Sequence, residues 1–255
     1  MRLDVYLTEN GYTDSRERAK RLILAGSVRV NGAVVTKPAF ELESGEISVE
    51  EERFVGRGGE KLEGALRAFG VDPAGMRAID VGASTGGFTH CLLLHGAAHV
   101  TALDAGCGQL HPSLVADARV KNLEKYNARD LCREDVGEFD LAVMDVSFIS
   151  QTYILPRLPE VLLPTGLAIT LIKPQFEAGR AALNKKGLVK DARDRLLAVR
   201  RVLGAAREAG LIPQGLVRSP ITGGDGNIEY LALFSLAGED LVSDVLIDRI
   251  VLEGR

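Results

Sequence analysis

The chain of 255 residues has only three cysteines, Cys91, Cys107 and Cys132, an odd number without the spacing of a metal site or a disulfide framework. Met1-Arg2-Leu3-Asp4 opens without an apolar leader core, so the cytoplasm is the expected compartment. Long apolar runs are missing as well. The longest stretch free of formal charge, Val81 to Leu103, is broken by Gly82, Gly86, Gly87 and Gly96 and carries three histidines, which makes a poor membrane span. Nor is there a surplus of basic residues: 31 Lys and Arg against 35 Asp and Glu exclude a uniformly basic nucleic-acid binder, so any such surface must be local. Internal repeats and low-complexity segments are also lacking. What remains, 46% hydrophobic and 26% charged, is a globular composition able to bury a sizeable core, and the length suits one large domain plus a small one.

Charge is polarised within the first fifty residues. Residues 1–37 hold seven basic side chains (Arg2, Arg16, Arg18, Lys20, Arg21, Arg29, Lys37) against four acidic ones, and an acidic run with Glu41, Glu43, Glu46 and Glu50 to Glu52 follows. Ser15 fits the N-cap of a short helix through Leu24 that buries Ala19, Leu22 and Ile23 and stops at Gly26. Two β-prone runs, Ser27 to Val30 and Ala33 to Val35, flank Asn31-Gly32, the dipeptide suited to a type I′ hairpin turn. The glycine-punctuated segment Arg53 to Gly59 reads as a connection, with a domain boundary near residue 55.

From Ala78 onward, strand-like runs (Ala78–Val81, His99–Leu103, Asp140–Met144, Leu167–Ile172) alternate with helical patterns, ending in a helix from about Asp191 to Ala209, and this predicts an α/β domain with a mostly parallel sheet. The terminal stretch Ala237 to Arg255 reads as a helix packed on that sheet. Asp80-Val-Gly-Ala-Ser-Thr-Gly-Gly-Phe88 is a strand running into a glycine-rich turn and a helix, the arrangement that lets a nucleotide approach the backbone. Asp104, 22 residues after Gly82, stands where an acid holds ribose hydroxyls. From Ala78 to Ala118 there is no Lys or Arg. A pyrophosphate would ask for positive charge there, whereas the sulfonium of S-adenosylmethionine suits the carboxylates of Asp80 and Asp104, so that cofactor is expected over a nicotinamide dinucleotide.

Taken in order, several strings resemble the hemolysin A/TlyA family of ribosomal RNA 2′-O-methyltransferases. They are Arg2-Leu-Asp4, Ser15-Arg16, Gly26, Val28-Arg-Val-Asn-Gly32, Arg57-Gly-Gly-Glu-Lys61, Asp80 to Thr89, Asn127-Ala-Arg129, Asp145-Val-Ser-Phe-Ile-Ser150, Lys173-Pro-Gln-Phe-Glu177 and Gly226-Asn-Ile-Glu229. The resemblance implies residues 1–55 as a ribosomal-protein-S-four-like RNA-binding domain of small α+β type. It implies residues 56–255 as an FtsJ-like, Rossmann-like S-adenosylmethionine-dependent methyltransferase with a seven-stranded, mostly parallel sheet. It also implies a catalytic tetrad on Lys61, Asp145, Lys173 and Glu229, with a cytidine 2′-hydroxyl of ribosomal RNA or a ribosomal subunit as acceptor. Cofactor contacts then fall on Asp80, Gly82, Ser84, Thr85, Gly86, Gly87, Phe88, Asp104, Asn127 and Arg129, and RNA contacts on Arg2, Ser15, Arg16, Arg18, Lys20, Arg21, Arg29 and Asn31. His90 and Cys107 depart from the family pattern beside the cofactor, not in the tetrad.

Methyl transfer to a ribose hydroxyl is an in-line displacement that needs alignment and removal of a proton from a weakly acidic OH. Lys173 as a neutral base suits that need; Lys173 as a charged positioning group is the alternative. Two carboxylates favour the charged amine while a second lysine and burial favour the neutral one. Base methylation fits less well, since Asp145-Val-Ser-Phe148 lacks the paired prolines of amino-group methyltransferases and no cysteine follows Met144 to act as a nucleophile. Phe148 suits either stacking on a base or core packing. His95 and His99 lack an acidic third ligand, and no metal site is expected. The competing functions are a noncatalytic RNA-binding assembly factor, a nicotinamide-linked oxidoreductase and a pore-forming hemolysin, the last opposed by the absence of any apolar span.

Overall fold

The computed structural model describes residues 1–13, 15–24, 26–49, 53–223 and 226–254. Glu50 to Glu52 of the acidic run, and Asp14, lie outside the described residues. The chain divides into two compact units, Met1–Arg53 and Phe54–Arg255.

In the first unit, helices α1 (Leu3–Glu9) and α2 (Arg16–Leu24) accompany a three-stranded antiparallel sheet of order β2-β1-β3, formed by β1 (Val28–Val30), β2 (Ala33–Val34) and β3 (Ile47–Val49). Leu3 and Leu7 of α1 meet Ala19, Leu22 and Ile23 of α2 and Val28 and Val30 of β1 in one core. The hairpin turn is as the sequence predicts: Asn31 and Gly32 both have positive φ, 51° and 78°, and Val30 pairs with Ala33. Ser15 Oγ accepts from the Arg18 backbone N–H at 3.3 Å, the N-cap bond. Helix α1 and strand β3 were not anticipated. Asp4, in the first turn of α1, is fully buried and accepts from Arg2 Nε at 3.0 Å and from Arg16 Nε at 2.9 Å. The candidate RNA contacts Arg2 and Arg16 therefore also hold this unit together.

The second unit is built on a seven-stranded sheet of order β6-β5-β4-β7-β8-β10-β9. Its strands are β4 (Arg77–Val81), β5 (His99–Leu103), β6 (Val120–Leu123), β7 (Phe139–Met144), β8 (Leu162–Ile172), β9 (Ile212–Arg218) and β10 (Tyr230–Ser235). The first five are parallel, and β10 runs antiparallel between β8 and β9. Strand interiors are apolar on both faces (Ile79, Val81, Val100, Leu141, Val143, Ile169, Leu171), as a sheet covered by helices on both sides demands. Helix α3 (Gly58–Phe69) and helix α4 (Gly87–Leu94) cover one face, burying Leu62, Leu66, Phe88 and Leu92. The helix Ala192–Glu208, capped by Asp191, covers the other with Val199, Val202, Leu203 and Ala206. The terminal stretch differs from expectation: only Asp244–Asp248 and the turn Arg249–Glu253 are helical, with Ile247, Ile250 and Val251 buried while Leu241 and Val245 face solvent. Ser243, whose Oγ accepts from Leu246 N–H, sets that late start. No helix among the described residues is long and apolar enough to cross a membrane.

The chain order makes β4 the place where connections reverse direction across the sheet, since β5 and β6 continue to one side and β7 and β8 to the other. The crevice at the carboxyl ends of β4 and β7 is where such sheets bind ligands.

The Arg2 and Arg16 guanidiniums hold the Asp4 carboxyl down at about 2, below its ordinary 3.8, so its stabilisation is complete above roughly pH 4 and is lost as pH falls towards 2. Asp4→Asn should cost the first unit about 1–3 kcal/mol at neutral pH, read as lower amide-exchange protection in α1 and α2, and the deficit should shrink as pH falls through the folded value of about 2. Equal protection of the two proteins at pH 7 would show that the pairs contribute nothing.

Candidate active site

Two adjoining cavities open at that crevice. The larger, about 480 Å³, is lined by Gly82, Ser84, Asp104, Gln109, Tyr126 and Asn127 on one side and by Asp145, Ser147, Phe148 and Ile149 on the other. The smaller, about 160 Å³, is lined by Gly58, Asp80, Thr85, Gly87, Phe88 and Lys173, and shares Gly82, Ser84, Asp145 and Ser147 with its neighbour. Gly82 makes the shared wall possible: its φ is +86°, and a Cβ there would stand 2.8 Å from the Asp145 carbonyl oxygen. Ser84 follows with φ +48°, a strained value for a side-chain-bearing residue, and donates its backbone N–H to Asp104 Oδ2 at 2.8 Å. Gly106 N–H caps the other Asp104 oxygen at 2.7 Å, so the carboxylate is fixed at the end of β5.

Asp80 is wholly buried. Thr89 donates to its Oδ2 through both the backbone N–H (2.9 Å) and Oγ1 (2.7 Å), while Oδ1 has no partner among the described residues. Burial, helped by repulsion from Asp145 and Asp104, pushes this carboxyl up to about 7 against the pull of the Thr89 bonds. An orphaned, buried acceptor at the wall of a cavity is a place prepared for a donor or a cation.

The four tetrad candidates fall into two ion pairs. Lys173 Nζ stands 2.6 Å from Asp145 Oδ1 and donates to Ser147 Oγ at 2.7 Å, with the Phe176 ring centroid 5.8 Å away. Lys61 Nζ donates to Glu229 Oε2 at 2.6 Å, and Gln175 Nε2 donates to the other oxygen, Oε1, at 2.9 Å. Lys61 and Glu229 are buried and line neither cavity. The like-charge influence of Lys61 expected at Lys173 is thereby reduced to that of a neutralised pair. The coupling between the two pairs runs instead through Gln175, two residues after Lys173, whose amide ties the turn behind the lysine to Glu229.

Of the other candidates, Gly82, Ser84, Asp104 and Asn127 line the larger cavity, and Asp80, Thr85, Gly87 and Phe88 the smaller. Gly86 and Arg129 line neither. A Cβ on Gly86 would strike Leu114, so this glycine serves packing, and Arg129 donates its backbone N–H to Asn127 Oδ1 at 3.1 Å, shaping the turn that presents Asn127. Ser147, Gln175, Gln109 and Tyr126 were missed; a short polar side chain between Asp145 and Phe148 was the one available signal. Phe148 is not core: it is 91% exposed with φ +64°, its ring 5.2 Å from that of Phe176. His90 Nδ1 accepts from the Val55 backbone N–H at 3.1 Å, giving this departure from the family pattern a structural partner. His95 closes α4 and His99 opens β5, and among the described residues no group of three His, Cys, Asp or Glu could hold a metal ion. In the first unit Lys20 is exposed, and Asn31 Oδ1 accepts from the Glu46 backbone N–H at 2.9 Å.

Comparison with known proteins adds the following. Residues 54–236 match the FtsJ-like methyltransferase family and residues 1–48 the S4 domain. Hemolysin A of Brachyspira hyodysenteriae is 43% identical over 238 residues, covering 92% of this chain and 99% of that protein. The 16S/23S rRNA (cytidine-2′-O)-methyltransferase TlyA of Mycobacterium tuberculosis is 43% identical over 234 residues, covering 90% of this chain and 87% of that one. A solved structure described as a hemolysin from Streptococcus thermophilus superposes with TM-score 0.79 at 39% identity, covering 99% of this chain and 94% of its own.

Because the folded chain keeps the Asp80 proton to about pH 7 and the unfolded chain releases it near the ordinary 3.8, this group lowers stability progressively as pH rises through that interval and levels off above it. In Asp80→Asn the amide oxygen can still accept from Thr89 and no proton is lost. The melting temperature of the variant relative to the unmodified protein should therefore climb from pH 5 to pH 8; parallel curves would falsify the assignment.

Proposed function

Since the chain belongs to the FtsJ-like methyltransferase family, in the group that includes hemolysin A and TlyA, we propose that it transfers a methyl group from S-adenosylmethionine to a ribose 2′-hydroxyl of cytidine in ribosomal RNA, with the N-terminal S4 domain binding the RNA. The observation that carries this reading is the Lys173 amine, held by Asp145 and Ser147 at the wall of the smaller cavity.

The residues present fit the cofactor. Asp104 would hold the ribose hydroxyls, and Asn127, Tyr126 and Ile149 would flank the adenosine portion in the larger cavity. The unpartnered Asp80 oxygen and the backbone around Gly82 to Gly87 would meet the charged methionine portion in the smaller one. When bound, the cofactor supplies an activated methyl on a sulfonium. An absence of lysine and arginine from Ala78 to Ala118 keeps the field at the loop favourable to that cation.

The chain's own work is on the acceptor. The Lys173 amine donates to Ser147 Oγ and stands in ion-pair contact with Asp145 Oδ1, which leaves it a tetrahedral position for the acceptor hydroxyl. That position carries a lone pair when the amine is neutral and a third N–H when it is charged. In the neutral form Lys173 takes the hydroxyl proton; in the charged form it orients the oxygen without titrating. Asp145 and Ser147 fix its direction, and the buried Lys61–Glu229 pair, through Gln175, stiffens the turn that carries it. Phe148, exposed at the mouth and backed by Phe176, offers a stacking face to a base turned out of its strand. The same cavities suit a nicotinamide dinucleotide poorly, because the glycine-rich loop carries no lysine or arginine to meet a pyrophosphate and Lys173 is committed to Asp145.

Isotopically labelled methyl from S-adenosylmethionine, offered to ribosomal RNA and to whole subunits, should appear on a ribose 2′-oxygen. Lys173→Ala should lower the rate by about 10²–10⁴-fold with cofactor binding retained. A rate that rises with pH to a plateau assigns Lys173 as the base, and a flat profile assigns it as a positioning group. Binding of cofactor and RNA without label on any form would support the noncatalytic factor instead. Phe148→Ala should raise the KM for RNA about 5- to 150-fold, the equivalent of roughly 1–3 kcal/mol of stacking, and leave cofactor affinity unchanged; an unaltered KM would remove Phe148 from the acceptor site.

A further inference from the structure

The catalytic unit carries a concentration of positive charge that takes no part in either cavity. Between Arg180 and Arg193 stand five basic residues, Arg180, Lys185, Lys186, Lys190 and Arg193, and one acidic residue, Asp191. All five are exposed, and among the described residues none of their side chains has an ion-pair partner. Asp191 is occupied as a helix cap, its Oδ1 accepting from the Arg193 backbone N–H at 2.8 Å. In a protein of net charge −4, such a segment is a local attractor for anions.

The segment is held rather than slack. Leu183 bridges to Val189, Asn184 N–H donates to the Leu188 carbonyl at 3.0 Å, and Gly187, with φ +75°, donates back to the Asn184 carbonyl at 2.9 Å. Asn184 Oδ1 closes the turn from within, accepting from the backbone N–H groups of Lys186 (2.7 Å) and Leu188 (3.0 Å). Lys185 and Lys186 are left at the tip. The base of the turn is bolted to buried Asn227, whose Oδ1 accepts from Val189 N–H and whose Nδ2 donates to the Gly187 carbonyl, both at 3.1 Å. Asn227 lies two residues before Glu229, and the segment follows Glu177 in the short helix that begins after Lys173. The two lysines are thus fixed at the sheet edge that carries the proposed acceptor site.

We propose that the Lys185-Lys186 turn is an RNA-backbone contact of the catalytic unit, gripping phosphates of nucleotides that flank the acceptor. The proposal rests on the assignment of the chain as an RNA methyltransferase. Ammonium groups on a turn whose amide is already committed present charge without a base-reading pattern, which suits phosphate and positions the strand without selecting its sequence. A rigid mounting matters because register is what such contacts supply.

The test uses the full chain with Lys185→Ala and Lys186→Ala combined, and a matched loss of charge elsewhere, Arg67→Ala with Lys121→Ala, at the end of α3 and on the opposite edge strand β6. RNA affinity and methyl transfer are measured between 50 and 200 mM salt. The tip variant should raise the KM for RNA by about tenfold and flatten the slope of log affinity against log salt by about 1.4–1.8, the loss of two phosphate contacts. Its kcat and cofactor affinity should not change, and the control pair should leave the slope near that of the unmodified protein. An unaltered slope and KM in the tip variant, or an equal change in the control, overturns the proposal. If the unmodified protein binds RNA but transfers no methyl, the enzymatic reading fails, and the salt slope of binding alone still decides the role of the turn.

Discussion

Four parallel strands end at one edge of the large sheet, and each carries a candidate site residue within a step of its end: Asp80 and Gly82 at β4, Asp104 at β5, Asp145 at β7 and Lys173 at β8. Strand registry places these groups side by side because the ladder leaves neighbouring strands less than about 5 Å apart. The rest of the site depends on that constraint. Gly82 keeps the β4 and β7 ends in contact, and the strained Ser84 turns the loop back so that its amide meets Asp104. Strain of this kind persists only where the surroundings over-determine it. Here a glycine contact, a carboxylate and an apolar sheet do so together.

The distribution of buried charge has a matching logic. Lys61 and Glu229 are removed from water but compensated within hydrogen-bond distance, and Gln175 satisfies the remaining carboxylate oxygen. A buried pair gains its strength from such completeness and is costly when one member is removed. Asp80 is the opposite case, with one oxygen satisfied by Thr89 and the other buried without a partner, and burial raises its protonation range. A cation entering the smaller cavity would supply that partner. On the proposed reading, completeness around Glu229 and incompleteness at Asp80 would divide the polar interior into a part that holds the frame and a part that meets the cofactor.

How much of this was legible in the sequence depends on whether a signal was local. Strands β5 and β7 and the helix capped by Asp191 stood out because period and caps are short-range features, and Asp104, Asp145 and Lys173 could be placed because each directly follows a strand. Helix α1 was overlooked because seven residues with two buried leucines make less than two turns of pattern. Lys61 and Glu229 lie 168 residues apart and were reached through resemblance alone, since nothing near either one announces a partner. Ser147, Gln175 and Tyr126 owe their places to tertiary contacts. The terminal stretch misled because Leu241 and Val245 are apolar yet exposed, so hydrophobic spacing there did not equal burial. Arg2 and Arg16 show the converse: cations read as surface groups that are also tied to a buried carboxylate.

Charge is segregated along the chain to a degree that net charge conceals. Forty-one residues around the cofactor loop hold no lysine or arginine, while basic residues gather in the first unit and between Arg180 and Arg193. A cationic cofactor and a polyanionic acceptor make contradictory demands on one site, because a field that draws RNA in would push a sulfonium out. Salt screens exposed charges beyond roughly 8–10 Å, so the two demands are compatible when the cations sit on mounts set apart from the cavity. The mount we propose is the clamped Asn184–Gly187 turn, which is tied to the Glu229 segment through Asn227 and is absent from both cavity walls. On the proposed reading, separation of the two fields, more than the strength of either, would let one sheet edge serve both ligands.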